Sequence, residues 1–397
     1  MDKLKKKSNR IIEQTTLDFK RSLITELPWN ERLVGIKGSR GVGKTTMLLQ
    51  YIKQEYGIST QAMYISLDDF YFTGNTLVDF AEEFISLGGK HLFIDEVHKY
   101  PNWSIELKNI YDTFPELKVV FTGSSLLEIL NSRSDLSRRA LVYSLNGLSF
   151  REYLLLSEKI ELPQLSLDAI LKNHEKLAFE ISKTVKPLAY FDQYLRIGYF
   201  PFYQGDETLY QKRIQEILNM IIEIELPTLR KTDYSIVSKI KQLLYIISQS
   251  VPFKPNVTKL SVKINTTRKT ILEYINYLTD ANVFNSLYKS THGIGLLQKP
   301  EKLFLENTNF MFAVQNQEPN KGSLRETFFY NQLVQNHQIT YPEKGDFLVD
   351  ENFTFEIGGR NKTGQQLKGV ENAFVAADGM DVGVGNKIPL WMFGLLY

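Results

Sequence analysis

Lys44, Thr45, Asp95 and Glu96 stand in an order and spacing that suit chemistry on a polyphosphate. The first two belong to the run Gly38-Ser39-Arg40-Gly41-Val42-Gly43-Lys44-Thr45-Thr46, which fits G-x-x-x-x-G-K-[ST]. Glycines in such a loop let successive backbone N–H groups converge on phosphate oxygens, and a helix starting at its end adds partial positive charge. In that pattern Lys44 neutralises the β- and γ-phosphates and the Thr45 hydroxyl ligates Mg²⁺. All nine residues are candidate nucleotide contacts.

The flanks agree with this reading. Arg32-Leu33-Val34-Gly35-Ile36 before the loop is an apolar run suited to a buried parallel strand, and Thr46-Met47-Leu48-Leu49-Gln50-Tyr51-Ile52 after it has the apolar face of a helix. Roughly 50 residues after the loop, Lys90-His91-Leu92-Phe93-Ile94-Asp95-Glu96 forms a hydrophobic strand ending in two carboxylates. Asp95 falls where a P-loop enzyme holds Mg²⁺, and Glu96 is the natural general base for an attacking water. A third strand, Lys118-Val119-Val120-Phe121-Thr122, leads to Gly123-Ser124-Ser125. Ser124 either touches the γ-phosphate or its attacking water, or it caps a helix over 126–130. Arg138 and Arg139, just before a fifth strand, either stabilise charge on the transferred phosphoryl group or form a basic strand edge. Asp68 and Asp69 follow the second strand, and such a pair more often caps a turn than assists a metal.

The elements that must position these groups follow a clear rhythm. Five strands near 33–37, 62–67, 91–95, 118–122 and 140–145 alternate with helices, which implies a parallel sheet with helices on both faces. Ligands on such sheets sit beyond the strands' carboxyl ends, where Lys44, Asp95, Glu96 and Ser124 all fall. Apolar spacing over 11–26 suggests a helix before the first strand. The basic run Met1-Asp2-Lys3-Leu4-Lys5-Lys6-Lys7 lacks the apolar segment of a signal peptide and reads as a solvated tail.

The alternation stops after Phe150. Residues 151–232 read as helical and irregular, with a turn at Gly198-Tyr199-Phe200-Pro201. Helices over Ser235–Ser248 and Arg268–Asp280, with Val257–Ile264 and the turn Asn265-Thr266-Thr267 between, make a helix-turn-helix pattern, and 283–306 could supply a wing. Lys254, Lys259, Lys263, Arg268, Lys269 and Lys289 outnumber Glu273 and Asp280 there. Thr266, Thr267, Arg268 and Lys269 would then face duplex DNA phosphates at the start of the second helix, unless the module contacts protein instead. In the last hundred residues, Glu326 on a helix, Asp346 and Glu356 suggest the carboxylates of a metal-dependent nuclease. Gly358 stands where such a site has its lysine, and Arg360 or Lys362 could reach in from the loop. The stretch Ile388–Leu396 reads as a buried terminal strand.

Whole-chain quantities narrow the classes. The 397 residues suffice for several domains, and the net charge of +2 gives no polycationic surface. There is no cysteine, so disulfides, thiolate metal sites and a cysteine nucleophile are excluded. No apolar stretch reaches membrane-spanning length, and an ATP site suggests the cytoplasm.

With these residues assembled, the chain resembles prokaryotic AAA-type ATPases of the archaeal-ATPase-like group. The resemblance rests on Gly38–Thr45, Leu92-Phe93-Ile94-Asp95-Glu96-Val97-His98-Lys99, Thr122-Gly123-Ser124-Ser125, Ser137-Arg138-Arg139, Leu148-Ser149-Phe150-Arg151-Glu152-Tyr153, Gly198-Tyr199-Phe200-Pro201 and Phe355-Glu356-Ile357-Gly358-Gly359. It implies an α/β fold: a P-loop NTPase parallel sheet, then a helical and winged-helix region and a C-terminal α/β nuclease-like domain. The expected boundaries are an N-terminal helix in 1–29, a P-loop ATPase domain in 30–150, a helical linker in 151–232, a winged helix-turn-helix in 233–306 and a nuclease-like domain in 307–397. ATP or ADP with Mg²⁺ is the expected ligand, and a homo-oligomer or a protein client remains open as partner. The favoured activity is Mg²⁺-dependent ATP hydrolysis controlling the C-terminal modules. The alternatives are an ATP-gated regulatory or DNA-binding switch with negligible turnover, and a DNA-processing nuclease, which Gly358 disfavours.

Overall fold

Hydrophobic runs bounded by glycine and polar turns become the strands of the first sheet. The computed structural model describes residues 1–123, 136, 138–227, 235–250, 252–289, 298–315 and 317–397. The chain divides into two compact units, Met1–Gly147 and Leu148–Tyr397.

In the first unit, β1 (Leu33–Lys37), β2 (Ala62–Ser66), β3 (His91–Asp95), β4 (Lys118–Gly123) and β5 (Leu141–Ser144) pair in the order β2-β3-β4-β1-β5. Every pairing is parallel. The fold class is α/β, as the alternation implies, and all five strands lie within a residue or two of their expected positions. Each residue of β3 is buried, so this strand is covered on both faces, which explains its unbroken apolar run. Helices α1 (Asp2–Gln14), α2 (Leu23–Glu26), α3 (Lys44–Glu55), α4 (Leu77–Ser86) and α5 (Trp103–Thr113) flank the sheet.

The N-terminus departs from expectation. The lysine run is no tail but the first turns of α1, and the helix ends at Thr15, whose backbone is extended. Leu4, Ser8 and Ile12 recur every four residues and are buried, leaving lysines on the other face. Ser8 tolerates burial because its hydroxyl accepts the N–H of Tyr64 on β2 at 3.1 Å. The helix therefore lies upstream of the 11–26 window, which holds only its end and the short α2.

The second unit opens with α6 (Phe150–Glu158), α7 (Leu167–Thr184), α8 (Leu188–Ile197) and α9 (Glu207–Met220). A capping box on Ser149 and Glu152 starts α6. Then follow α10 (Ser235–Ser248), α11 (Val257–Lys263), α12 (Arg268–Asp280) and the antiparallel pair β6 (Phe284–Leu287) and β7 (Lys302–Leu305). After α13 (Thr308–Val314) and α14 (Lys321–Leu333) comes a mixed sheet in the order β12-β11-β10-β9-β8. Its members are β8 (Ile339–Thr340), β9 (Phe347–Val349), β10 (Phe353–Gly359), β11 (Ala373–Asp378) and β12 (Lys387–Pro389). The terminal segment is a strand only to Pro389; Leu390–Leu395 is a buried 3₁₀ helix. Proline has no N–H to continue the ladder, so the chain leaves the sheet there.

Candidate nucleotide site

The loop between β1 and α3 is shaped by glycine where no other residue fits. Gly41 and Gly43 have φ of 84° and 101°, and a Cβ on Gly38 would lie 2.1 Å from the Leu145 carbonyl oxygen. The Lys44 ammonium is buried inside the loop and donates to the carbonyls of Gly38 at 2.8 Å and Ser39 at 3.0 Å. Arg21, also buried, donates to the Val42 carbonyl at 2.6 Å and to those of Asn146 and Gly147. It ties the loop to the segment after β5.

Asp95, at the end of β3, gathers three hydroxyls. Its Oδ2 accepts from Thr45 at 2.6 Å and from Tyr64 at 2.9 Å, and its Oδ1 accepts from Thr122. Strand order explains the last bond: β4 lies between β1 and β3, which sets Thr122 beside the carboxylate. Thr122 also accepts the N–H of Glu96 at 3.3 Å. Burial, with Asp95 adding to it, raises the Tyr64 pKa, so its hydroxyl stays a donor.

Glu96 follows with φ of 56°, in the left-handed region. Its carboxyl pKa is raised, first by burial and then by Asp95, against the pull of Lys44, Arg40 and Lys99. The His98 Nε2 lies 3.5 Å from Glu96 Oε2. Burial foremost, with Lys99, Lys44 and Arg40 adding to it, pushes His98 down to about 3, so the imidazole is neutral near pH 7. A cavity of about 540 Å³ opens here, with Lys7, Arg40, Tyr64, Asp95, Glu96 and Lys99 in its lining. One guanidinium nitrogen of Arg40, Nη1, is buried without a hydrogen-bond partner.

The structure thus brings together the Gly38–Thr46 loop, Lys44, Thr45, Asp95 and Glu96. Ser124 lies outside the described residues, as does Ser137. Arg139 is held by Asp112 on α5, with Nε at 2.9 Å from Oδ1. Arg138 is exposed with φ of 71°. Asp69 caps the turn after β2, accepting from the Tyr71 N–H and pairing with Lys7 at 2.6 Å. Tyr64 and Arg21 escaped the sequence reading, and Thr122 and His98 entered it only inside motifs, without a role of their own. A hydroxyl at the end of an apolar strand was the signal available for Thr122, and the sequence reading attached it to Ser124.

In the second unit, Arg268 and Lys269 are exposed at the start of α12, while the Thr267 hydroxyl caps that helix by accepting from the Thr270 N–H. Glu326 on α14, Asp346 beside β9 and Glu356 on β10 also lie here. Lys362 does reach in: its Nζ lies 2.8 Å from Glu356 Oε1, across a space that a Cβ on Gly358 would fill.

Residues 30–154 match the family model of the AAA domain. Along most of its length the chain is similar to two uncharacterized proteins of Methanocaldococcus jannaschii. MJ1637 is 27% identical over 393 residues, covering 90% of this chain and 82% of the relative. MJ1544 is 24% identical over 349 residues, covering 82% and 72%. Among solved structures, the Walker-type ATPase of Pyrococcus abyssi aligns with a TM-score of 0.41 at 14% identity, covering 78% of this chain and 95% of that one. AMPPCP-bound DnaA of Aquifex aeolicus aligns at 0.29 and 16%, covering 68% and 86%. Among the described residues no helix is long and apolar enough to cross a membrane. The phosphate loop and the acidic end of β3 both fall within residues 30–154, the segment that matches the AAA domain.

Proposed function

We propose that this domain binds Mg·ATP and hydrolyses it, with Glu96 as general base. The observation that carries the reading is the Asp95 carboxylate, which holds the hydroxyls of Thr45, Tyr64 and Thr122 at the mouth of the phosphate loop. The residues fit the ligand. The loop keeps the close backbone approach that glycine permits, Lys44 supplies a buried cation, and the unpartnered Arg40 nitrogen can take an anionic oxygen. The Gly38–Thr46 loop would hold the phosphates, and Thr45 and Asp95 the Mg²⁺, which supplies charge neutralisation when bound.

The chain's own residues do the remaining work. Thr122 holds both the Asp95 carboxylate and the backbone at Glu96, so one hydroxyl positions the two acidic residues together. The raised pKa of Glu96 brings it nearer the operating pH, which favours proton transfer from water. Neutral His98 approaches Glu96 without neutralising it.

The same proposal has the nucleotide state controlling the C-terminal modules. Helices α10 to α12 with the β6–β7 hairpin read as a winged helix, and the exposed Arg268 and Lys269 favour duplex DNA as its partner. The rival reading is an ATP-bound switch without turnover. ATP hydrolysis measured with and without duplex DNA separates them. Measurable turnover, with Mg·ATP affinity lost in Lys44→Ala by calorimetry, supports an ATPase. Undiminished affinity in Lys44→Ala would overturn the site itself.

A further inference from the structure

Arg21 lies in the stretch between α1 and α2, and only 5% of it is exposed. Its guanidinium reaches in two directions. Nη1 donates to the Val42 carbonyl at 2.6 Å, and Nη2 donates to those of Asn146 at 2.8 Å and Gly147 at 2.9 Å. The stretch that carries it is pinned to α3, the helix into which the phosphate loop runs. Gln50, itself buried, donates to the carbonyls of Thr16 at 3.0 Å and Phe19 at 2.7 Å. Lys53 donates to those of Glu13 at 2.8 Å and Thr15 at 2.6 Å. The segment after β5 is anchored as well, since the Leu145 N–H donates to the Lys37 carbonyl at 2.7 Å.

Val42 stands between Gly41 and Gly43, whose φ of 84° and 101° lie in the left-handed region. A peptide that ends on glycine can turn over as a plate, because glycine accepts φ of either sign. That plate is planar and trans, so the Val42 carbonyl and the Gly43 N–H project from opposite sides of it. A bond that fixes the carbonyl on one side therefore fixes the amide on the other. Arginine suits the task, since its rigid planar fork presents donors along several directions at once, whereas a lysine ammonium sits on a single flexible stem.

We propose that Arg21 is a positioning residue for the nucleotide. By holding the Val42 carbonyl it turns the Gly43 N–H toward the phosphate oxygens. By holding Asn146 and Gly147 it keeps the loop seated on the segment after β5. The cradle is then formed before the ligand arrives, and binding does not have to order it. The inference rests on the phosphate-loop reading above and adds to it a residue that does not itself touch the nucleotide.

The test is Mg·ATP and Mg·ADP calorimetry on the full-length protein, with KM and kcat measured beside it. Arg21→Met, which keeps the apolar stem, is expected to lower both affinities by roughly 10–100-fold, the scale of a hydrogen bond to a charged group. The loss should fall on KM more than on kcat, because the cradle is disturbed and Glu96 is not. Arg21→Lys can keep the bond to Val42 but not the fork, so it is expected to lose less. It serves alone if Arg21→Met does not fold. Wild-type affinity in both variants would overturn the positioning role and leave the nucleotide site standing. A fall confined to kcat would overturn it too, by placing Arg21 in the chemical step. A wild-type protein without Mg·ATP affinity would overturn the nucleotide reading itself, and this inference with it.

Discussion

The Thr45 hydroxyl donates a 2.6 Å hydrogen bond to Asp95 Oδ2, joining the first turn of α3 to the end of β3. These residues lie in strands and helices that are not neighbours in the sheet, since β4 intervenes. The bond therefore exists only when β1, β4 and β3 are stacked in that order, and Thr122 on β4 closes it from the other side. Phosphate loop and acidic strand form one hydrogen-bonded unit.

Thr122→Val keeps the shape of the side chain and removes the hydroxyl that holds Asp95 and the Glu96 N–H. A partner that orients a metal-holding carboxylate is worth roughly 10–100-fold in activity or metal affinity. Turnover in Thr122→Val is expected to fall by about that factor, with the protein still folded by circular dichroism. A wild-type turnover number would show that Asp95 is positioned without it.

The arginines divide by where the structure puts them. Arg40 acts on Glu96 electrostatically and has an unpartnered buried nitrogen, whereas Arg139 is engaged by Asp112. Arg40→Ala is expected to lose about 10³ in turnover, the scale of an arginine at a transferring phosphoryl group. Arg139→Ala is expected to leave the turnover of a lone chain nearly unchanged. Loss in Arg139→Ala that is rescued by mixing with an Arg40→Ala protein would assign Arg139 a role across a subunit boundary instead.

Protonation gives an independent handle. A general base works only as its anion, and the Glu96 pKa is raised above 4.5 by burial and then by Asp95. Turnover is therefore expected to decline with falling pH through a limb above 4.5, read from the pH profile of kcat. His98 does not gain a proton until about pH 3, so His98→Gln should leave that limb in place. A limb near the usual histidine value that vanishes in His98→Gln would contradict the neutral imidazole.

Duplex DNA binding rests on exposed charge at the start of α12. Changing Arg268 and Lys269 to Ala should flatten the salt dependence of binding, each lost phosphate contact lowering the log–log slope by about 0.9. ATP turnover without DNA should not change. Wild-type protein that fails to bind duplex at low salt would leave a protein partner as the better reading. Thr267 is unsuited to this test, because its hydroxyl caps the helix.

Much of the first unit was legible because β1 to β4 are buried almost throughout and so stand out as apolar runs. The loop from Gly38 to Thr46 announced its own chemistry. Thr122, Tyr64 and Arg21 were not legible, since their roles depend on which strand lies beside which, and local sequence does not carry strand order. The basic run at Lys3–Lys7 hid a helix because the lysines masked the four-residue recurrence of Leu4, Ser8 and Ile12. Lys362, offered from the loop after Gly358, does reach Glu356. Lys302, whose ammonium lies 2.9 Å from Glu326 and 3.3 Å from Asp346, is distant from both in sequence and left no trace that spacing could reveal.

The central claim is that Glu96 turns nucleotide binding into hydrolysis, and the direct measurement is Mg·ATP affinity beside steady-state turnover in Glu96→Gln. The substitution keeps shape and removes basicity. Affinity near the wild-type value with turnover lower by roughly 10²–10⁴, the range for a positioned base, is the expected result. An unchanged turnover number would contradict the account and place the base elsewhere.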